Sequence, residues 1–190
     1  MIVLGIDPGT AATGYGVVER VGAKLRALDY GCLETLPTLE LPARLLEIHR
    51  AVTELILTHK PVHLGVERLF FNKNVQTAFA VGQARGVVLL AAAEHGLPVF
   101  EYGPHEVKLA VTGYGRADKR QVQRMVQAVL GMAQRFCPDR RRQTIAILAT
   151  AVSVPTSRLV SIRQPCYIPR RKSLSHENPP AGDSAQSRRL

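Results

Sequence analysis

The chain has 190 residues and 20.8 kDa, the size of one globular domain with a stretch to spare. Hydrophobic residues at 46% against 21% charged support a packed core and exclude wholesale disorder. A formal charge of +10 points to a polyanionic partner such as nucleic acid. Along the chain, residues 2–6 form an apolar strand ending at Asp7. Residues 15–19 and 25–33 read as two more strands, joined through Gly-containing turns. Leu45, Ile48, Val52, Leu55 and Ile56 make a helical stripe over 41–57, with Pro42 suited to the first turn. A buried strand over 63–66 ends at Glu67, and a long helix over 74–94 is closed by Gly96 and Pro98. A fifth strand over 99–102 precedes helices over 106–111 and 117–130. Three strands in hairpin-like succession, then strand–helix alternation, predict an α/β fold with a mixed sheet and helices on its faces.

Three cysteines, Cys32, Cys137 and Cys166, are too few and too irregularly spaced for a disulfide scaffold or a zinc site. The N-terminus has no basic region before Asp7 and Pro8, and so does not read as a signal peptide. The apolar run from Gly86 up to Glu94 is far short of the roughly 20 residues that span a bilayer. A soluble protein of a reducing cytoplasm, with no membrane partner, is expected. The charge is unevenly spread: residues 1–134 carry 14 basic and 12 acidic groups, residues 135–190 carry 11 and 3. The excess therefore belongs mainly to the last third and is not by itself evidence of a binding face. Residues 146–154 have the composition of one buried helix, which Pro155 stops; 155–190, rich in Ser, Pro and Arg, read as a disordered basic tail. The expected division is one folded domain over 1–154 and that tail.

The first residue with chemistry is Asp7, at a strand end before Pro8-Gly9-Thr10. A carboxylate held there is placed to take a divalent cation, and Asp-Pro-Gly is equally a turn signal in its own right. Glu67 ends the fourth strand in the same manner. If the first and fourth strands are parallel neighbours, the two carboxylates meet at one sheet edge. Such a pair repels unless it shares a proton or binds a cation, which is the arrangement of metal-assisted phosphoryl chemistry. A salt bridge from Glu67 to a nearby Arg or Lys is the alternative. Phe70 and Phe71 follow; consecutive side chains point apart, so stacking on a base and covering the sheet edge both remain open.

These residues lie in longer stretches. GIDPGTAATGYGVV, VERLFFNKN and AFAVGQARGVVLLAAAEHGLPVFEYGPHEVKLAVTGYGRADKRQVQRMV together resemble the RuvC family of Holliday junction resolvases over residues 1–132. The resemblance implies an RNase H-like fold, a mixed five-stranded sheet flanked by helices. It implies a homodimer that makes paired, symmetry-related nicks in four-way junction DNA during recombination and repair, fed by a branch-migration motor complex. Mg²⁺ is implied as cofactor, two ions per active site, with Mn²⁺ as a substitute. By residue, Asp7 and Glu67 match the first two catalytic, metal-binding carboxylates. Phe70 matches the aromatic that engages bases near the crossover, and Lys108 and Lys119 match basic residues that contact DNA. The helix containing Gly82-Gln83-Ala84-Arg85-Gly86 matches the one that supplies much of the dimer interface.

The last part departs from the family pattern, which reads Asp or His, two residues, Asp, then Ala-Leu-Ala-Ile-Ala. A gapless match puts Arg140 and Gln143 at the two ligand positions, and neither replaces a carboxylate. Asp139, one turn before Gln143, is the acid that a shifted register brings to the site as a third catalytic group. A change of reading frame near 135–143 accounts for the lost motif, the jump in charge and the end of periodicity together; a diverged homologue is the alternative. Reading the encoding DNA in the other two frames for a DAxAxA-like helix decides between them. Three functions follow: the Mg²⁺-dependent junction endonuclease, a catalytically impaired junction-binding homologue, and a phosphotransferase. The last is suggested because Gly5-Ile6-Asp7-x-Gly9-Thr10 also resembles the first phosphate loop of the sugar-kinase and actin-like group. About 130 patterned residues are too few for that group's two lobes.

Overall fold

The computed structural model describes residues 1–68 and 75–131, except for the side chains of 75–78. Along them run β1 (Ile2–Asp7), β2 (Ala12–Val21), β3 (Lys24–Glu34), α1 (Leu41–His59), β4 (His63–Glu67), α2 (Val75–Glu94), β5 (Val99–Tyr102), α3 (Pro104–Thr112) and α4 (Lys119–Leu130). Every expected element of this part is present. The helix expected over 146–154, the tail, Phe70 and Asp139 lie outside the described residues.

The strands form one mixed sheet in the order β3-β2-β1-β4-β5. β1–β2 and β2–β3 are antiparallel, while β1–β4 and β4–β5 are parallel. β1 occupies the centre because it is apolar on both faces: Leu4 and Ile6 face one layer of helices, and Val3 the other. On the first side Leu4, Ile6, Val17 and Leu64 pack against Ile48, Val52, Leu55 and Ile56 of α1 and Ala84, Val88, Ala91 and Ala92 of α2. On the second side Val3, Val18 and Tyr102 pack against Val107 and Val111 of α3 and Val122, Val126 and Leu130 of α4.

Boundaries differ from the expected ones where pairing or caps override the apolar period. β2 begins at Ala12 rather than residue 15, because Ala12–Gly14 pair with Cys32–Glu34 although their side chains are small. Pro104 supplies the first turn of α3, two residues ahead of the expected start, and Glu106 accepts from the Gly103 N–H at 2.6 Å. Asp118 caps α4, accepting from the Gln121 N–H at 2.9 Å while Gln121 accepts from its N–H. α1 ends at Lys60, whose left-handed backbone (φ 48°) lets its N–H reach the Ile56 carbonyl.

Candidate active site

The β1–β4 register runs from Val3 opposite His63 to Ile6 opposite Val66, so the next position on each strand sets Asp7 beside Glu67. Parallel neighbours in register share a face, and this one is the face covered by α3 and α4. Asp7 and Glu67 are both half-buried. Beyond them in the same row stand Gly14 on β2 and Tyr102 on β5. One pleat inward the row reads Gly16, Gly5 and Gly65, so those three strands raise no side chain beside the two carboxylates.

The turn after Asp7 is fastened from β2 and from the segment that follows β3, with α1 behind it. The Thr13 hydroxyl donates to the Gly9 carbonyl at 2.7 Å and accepts from the Gly9 N–H at 3.2 Å, entirely inside the protein. The Thr35 hydroxyl donates to the Thr10 carbonyl at 2.6 Å and accepts from Arg44 Nε at 2.8 Å. The Thr35 N–H also donates to the Ala11 carbonyl. The turn reading of Asp-Pro-Gly thus holds, and that turn follows directly on the Asp7 carboxylate. Sequence reasoning missed Thr13, Thr35 and Arg44, and only the polar residues scattered among small ones hinted at them.

The strand end at Glu67 is held through its backbone. The Arg68 N–H donates to the Tyr102 carbonyl at 2.9 Å, and Arg85 Nη1 donates to the Glu67 carbonyl at 3.4 Å. Arg85 makes its ion pair with Glu101. Arg68 lies 3.8 Å from Glu101 and 3.9 Å from Glu106. The Tyr102 phenol is buried without a hydrogen-bond partner among the described residues. Burial, and then the charge of Glu106, push its pKa up to about 12.

Lys108 is half-buried on α3 and Lys119 opens α4 exposed, both on the helices that cover the carboxylate face. The fold therefore brings Asp7 and Glu67 together. Among the described residues there is no cluster of three or more His, Cys, Asp or Glu side chains. The two-carboxylate pair suits a hard divalent cation, since all its donors are oxygens on rigid strand ends. Among the described residues no helix is long and apolar enough to cross a membrane.

Comparison with known proteins agrees with this geometry. A family model described as crossover junction endodeoxyribonuclease RuvC matches residues 3–151. That is about 20 residues past the resembling stretch 1–132, so family likeness continues beyond the change in composition. A crossover junction endodeoxyribonuclease RuvC of Moorella thermoacetica is 56% identical over 148 residues, 77% of this chain and 88% of that protein. One of Desulfitobacterium hafniense is 52% identical over 147 residues, covering 77% and 89%. The solved structure of T. thermophilus RuvC in complex with a Holliday junction substrate superposes with a TM-score of 0.77 at 38% identity, covering 80% of this chain and 93% of that one. A yeast mitochondrial Holliday junction resolvase, at 12% identity and TM-score 0.57, covering 78% and 75%, shares the fold alone.

Proposed function

The chain belongs to the RuvC family of crossover junction endodeoxyribonucleases, and on that premise we propose that it resolves four-way DNA junctions by metal-dependent hydrolysis at an edge built on Asp7 and Glu67. The observation that carries the assignment is the parallel β1–β4 register, which sets two carboxylates from residues 60 positions apart side by side. Their mutual repulsion is relieved by cations, and Mg²⁺, two ions per site with Mn²⁺ as substitute, is the chemistry such oxygens favour. Bound there, Mg²⁺ supplies the positive charge that activates water and stabilises the leaving oxygen of a phosphodiester. The chain's own contribution is rigidity: Asp7 and Glu67 hold oxygens at fixed strand ends, and the Thr13 and Thr35 hydroxyls keep the adjoining turn in place.

Lys108 and Lys119 neutralise DNA phosphates near the cut, conferring salt-dependent affinity without base specificity. Phe70 engages bases at the crossover, Asp139 adds a further acid in the shifted register, and residues 1–154 act as one nuclease domain with 155–190 as a basic tail. A four-way junction with two equivalent strands to cut matches a homodimer, for which α2 is the candidate surface. Phe79 and Leu90 on that helix are 69% and 52% exposed. Among the described residues a Cβ at Gly82 or Gly86 would meet nothing within 4 Å, and small residues there permit a close approach of a partner helix. Supply by a branch-migration motor and a cytoplasmic setting complete the reading.

The test is a labelled synthetic four-way junction with Mg²⁺, against an EDTA control. Symmetric nicks that disappear in Asp7→Asn and in Glu67→Gln, with the gel shift retained, are expected. Nicking that survives either substitution refutes the carboxylate assignment, and failure of the wild type to shift the junction refutes the function.

A further inference from the structure

Arg85 lies on α2, on the opposite side of the sheet from the Glu67 carboxylate, yet it reaches the strand that carries it. Its side chain is 13% exposed and that of its partner Glu101 is 22% exposed, flanked on α2 by the buried Ala84 and Val88. A guanidinium in such a place is costly unless its fork is filled. Here one arm meets Glu101 on β5 and the other donates to the Glu67 backbone carbonyl on β4. Arg68, the next residue, completes the clasp from its own side. Its N–H is bonded to the Tyr102 carbonyl, and its guanidinium lies near Glu101 and Glu106. Strand alternation sends the Glu101 and Glu67 side chains to opposite faces, so this ion pair acts through the backbone and not on the reacting groups.

We propose that Arg85 is a positioning residue: oriented by Glu101, it clamps the end of β4 to β5 and α2, and so fixes the Glu67 carboxylate opposite Asp7 for metal binding. The proposal rests on the reading of Glu67 as a metal ligand. Lysine cannot replace the fork, because a single ammonium does not span two acceptors set on different strands. The clamp also joins the site to α2, the helix proposed to pair two subunits.

The test measures Mn²⁺ binding to the DNA-free full-length protein by calorimetry, junction affinity in EDTA by gel shift, and thermal stability. Arg85→Ala is expected to weaken Mn²⁺ binding by about 10-fold, with the Mg²⁺ requirement for nicking raised in step, while junction affinity stays within about 2-fold. Arg85→Lys is expected to recover only part of the loss. Unchanged Mn²⁺ affinity in a variant of lowered stability overturns the proposal and makes Arg85 a staple of α2 alone. A loss of junction affinity as large as the loss of metal affinity overturns it in favour of a DNA contact. Should Arg85→Ala not fold, Glu101→Gln, which keeps the shape, is expected to weaken Mn²⁺ binding by several-fold, and an unchanged isotherm there overturns the proposal. Glu67→Gln separates the premise: if it binds Mn²⁺ as the wild type does, Glu67 is not a ligand and the proposal falls with that reading.

Discussion

Thr13→Val isolates the fastening of the turn after Asp7. Thr13 is 0% exposed, and its hydroxyl serves Gly9 twice, donating at 2.7 Å and accepting at 3.2 Å. Valine fills nearly the same volume, so the loss is polar and not a cavity. It leaves the buried Gly9 N–H and carbonyl each without that partner, at about 1–3 kcal/mol per unsatisfied group, offset by about 1 kcal/mol for the added methyl. The net expectation is a destabilisation of about 1–5 kcal/mol, centred near about 3 kcal/mol. Thr13→Ser keeps both hydrogen bonds and loses one methyl, which costs about 1 kcal/mol. Urea unfolding at neutral pH measures both, as a shift of midpoint at constant slope. Junction nicking by the valine variant is expected to fall about 10-fold at an unchanged gel shift, equivalent to about 1.4 kcal/mol of lost positioning. A valine variant as stable as the serine one refutes the argument that these two bonds hold the turn.

Four other substitutions concern the same framework. Tyr102→Phe removes a buried phenol with no hydrogen-bond partner among the described residues, so at neutral pH its stability is expected to be unchanged or raised by up to about 1 kcal/mol. The phenol pKa is raised to about 12 in the folded protein, which means the fold favours the neutral form. That stabilisation is fully present below the unfolded value near 10 and is lost as pH rises through about 12, in total roughly 3 kcal/mol. Urea titrations from pH 9 to 12 check it, and parallel curves for wild type and Tyr102→Phe contradict it. Lys60→Gly relieves a left-handed residue at the end of α1 (φ 48°) and is expected to raise the melting temperature, by about 0.5–1 kcal/mol of stability. Gly31→Ala places a methyl 2.6 Å from the half-buried Tyr15 ring and is expected to cost about 1–3 kcal/mol in urea unfolding. Gly115→Ala meets first the far end of the exposed His105 ring, which swings aside, and is expected to cost under about 1 kcal/mol.

Much of the frame is legible without the structure, because it depends on residues a few positions apart. The stripe Ile48, Val52, Leu55 and Ile56 predicts α1, and those four residues are its buried face. The apolar runs before Asp7 and Glu67 predict strands that end where the charges begin, and both do. The uneven charge is likewise plain from composition: residues 1–134 carry nearly balanced charge, so the DNA contacts proposed for this part rest on placed groups such as Lys108 and Lys119 rather than on bulk charge. Motif likeness supplied the family, and with it the roles proposed for individual residues.

The tertiary structure alone decided what meets what. That β1 and β4 are parallel neighbours was a condition in the sequence reading, since the partner of a strand 60 residues away is chosen by which packing buries both apolar faces. The same holds for the supports. Thr13 in β2 and Thr35 just past the end of β3 are polar residues with nothing in their spacing to mark them, until the turn at Gly9–Ala11 folds over their hydroxyls. Arg85 sits in a helix facing the sheet and Glu101 in the edge strand, and only their burial together explains two opposite charges in apolar stretches. Periodicity and turn chemistry are local and survive in the linear sequence. A site made from several strand ends is not local, and its geometry exists once the core has set the register.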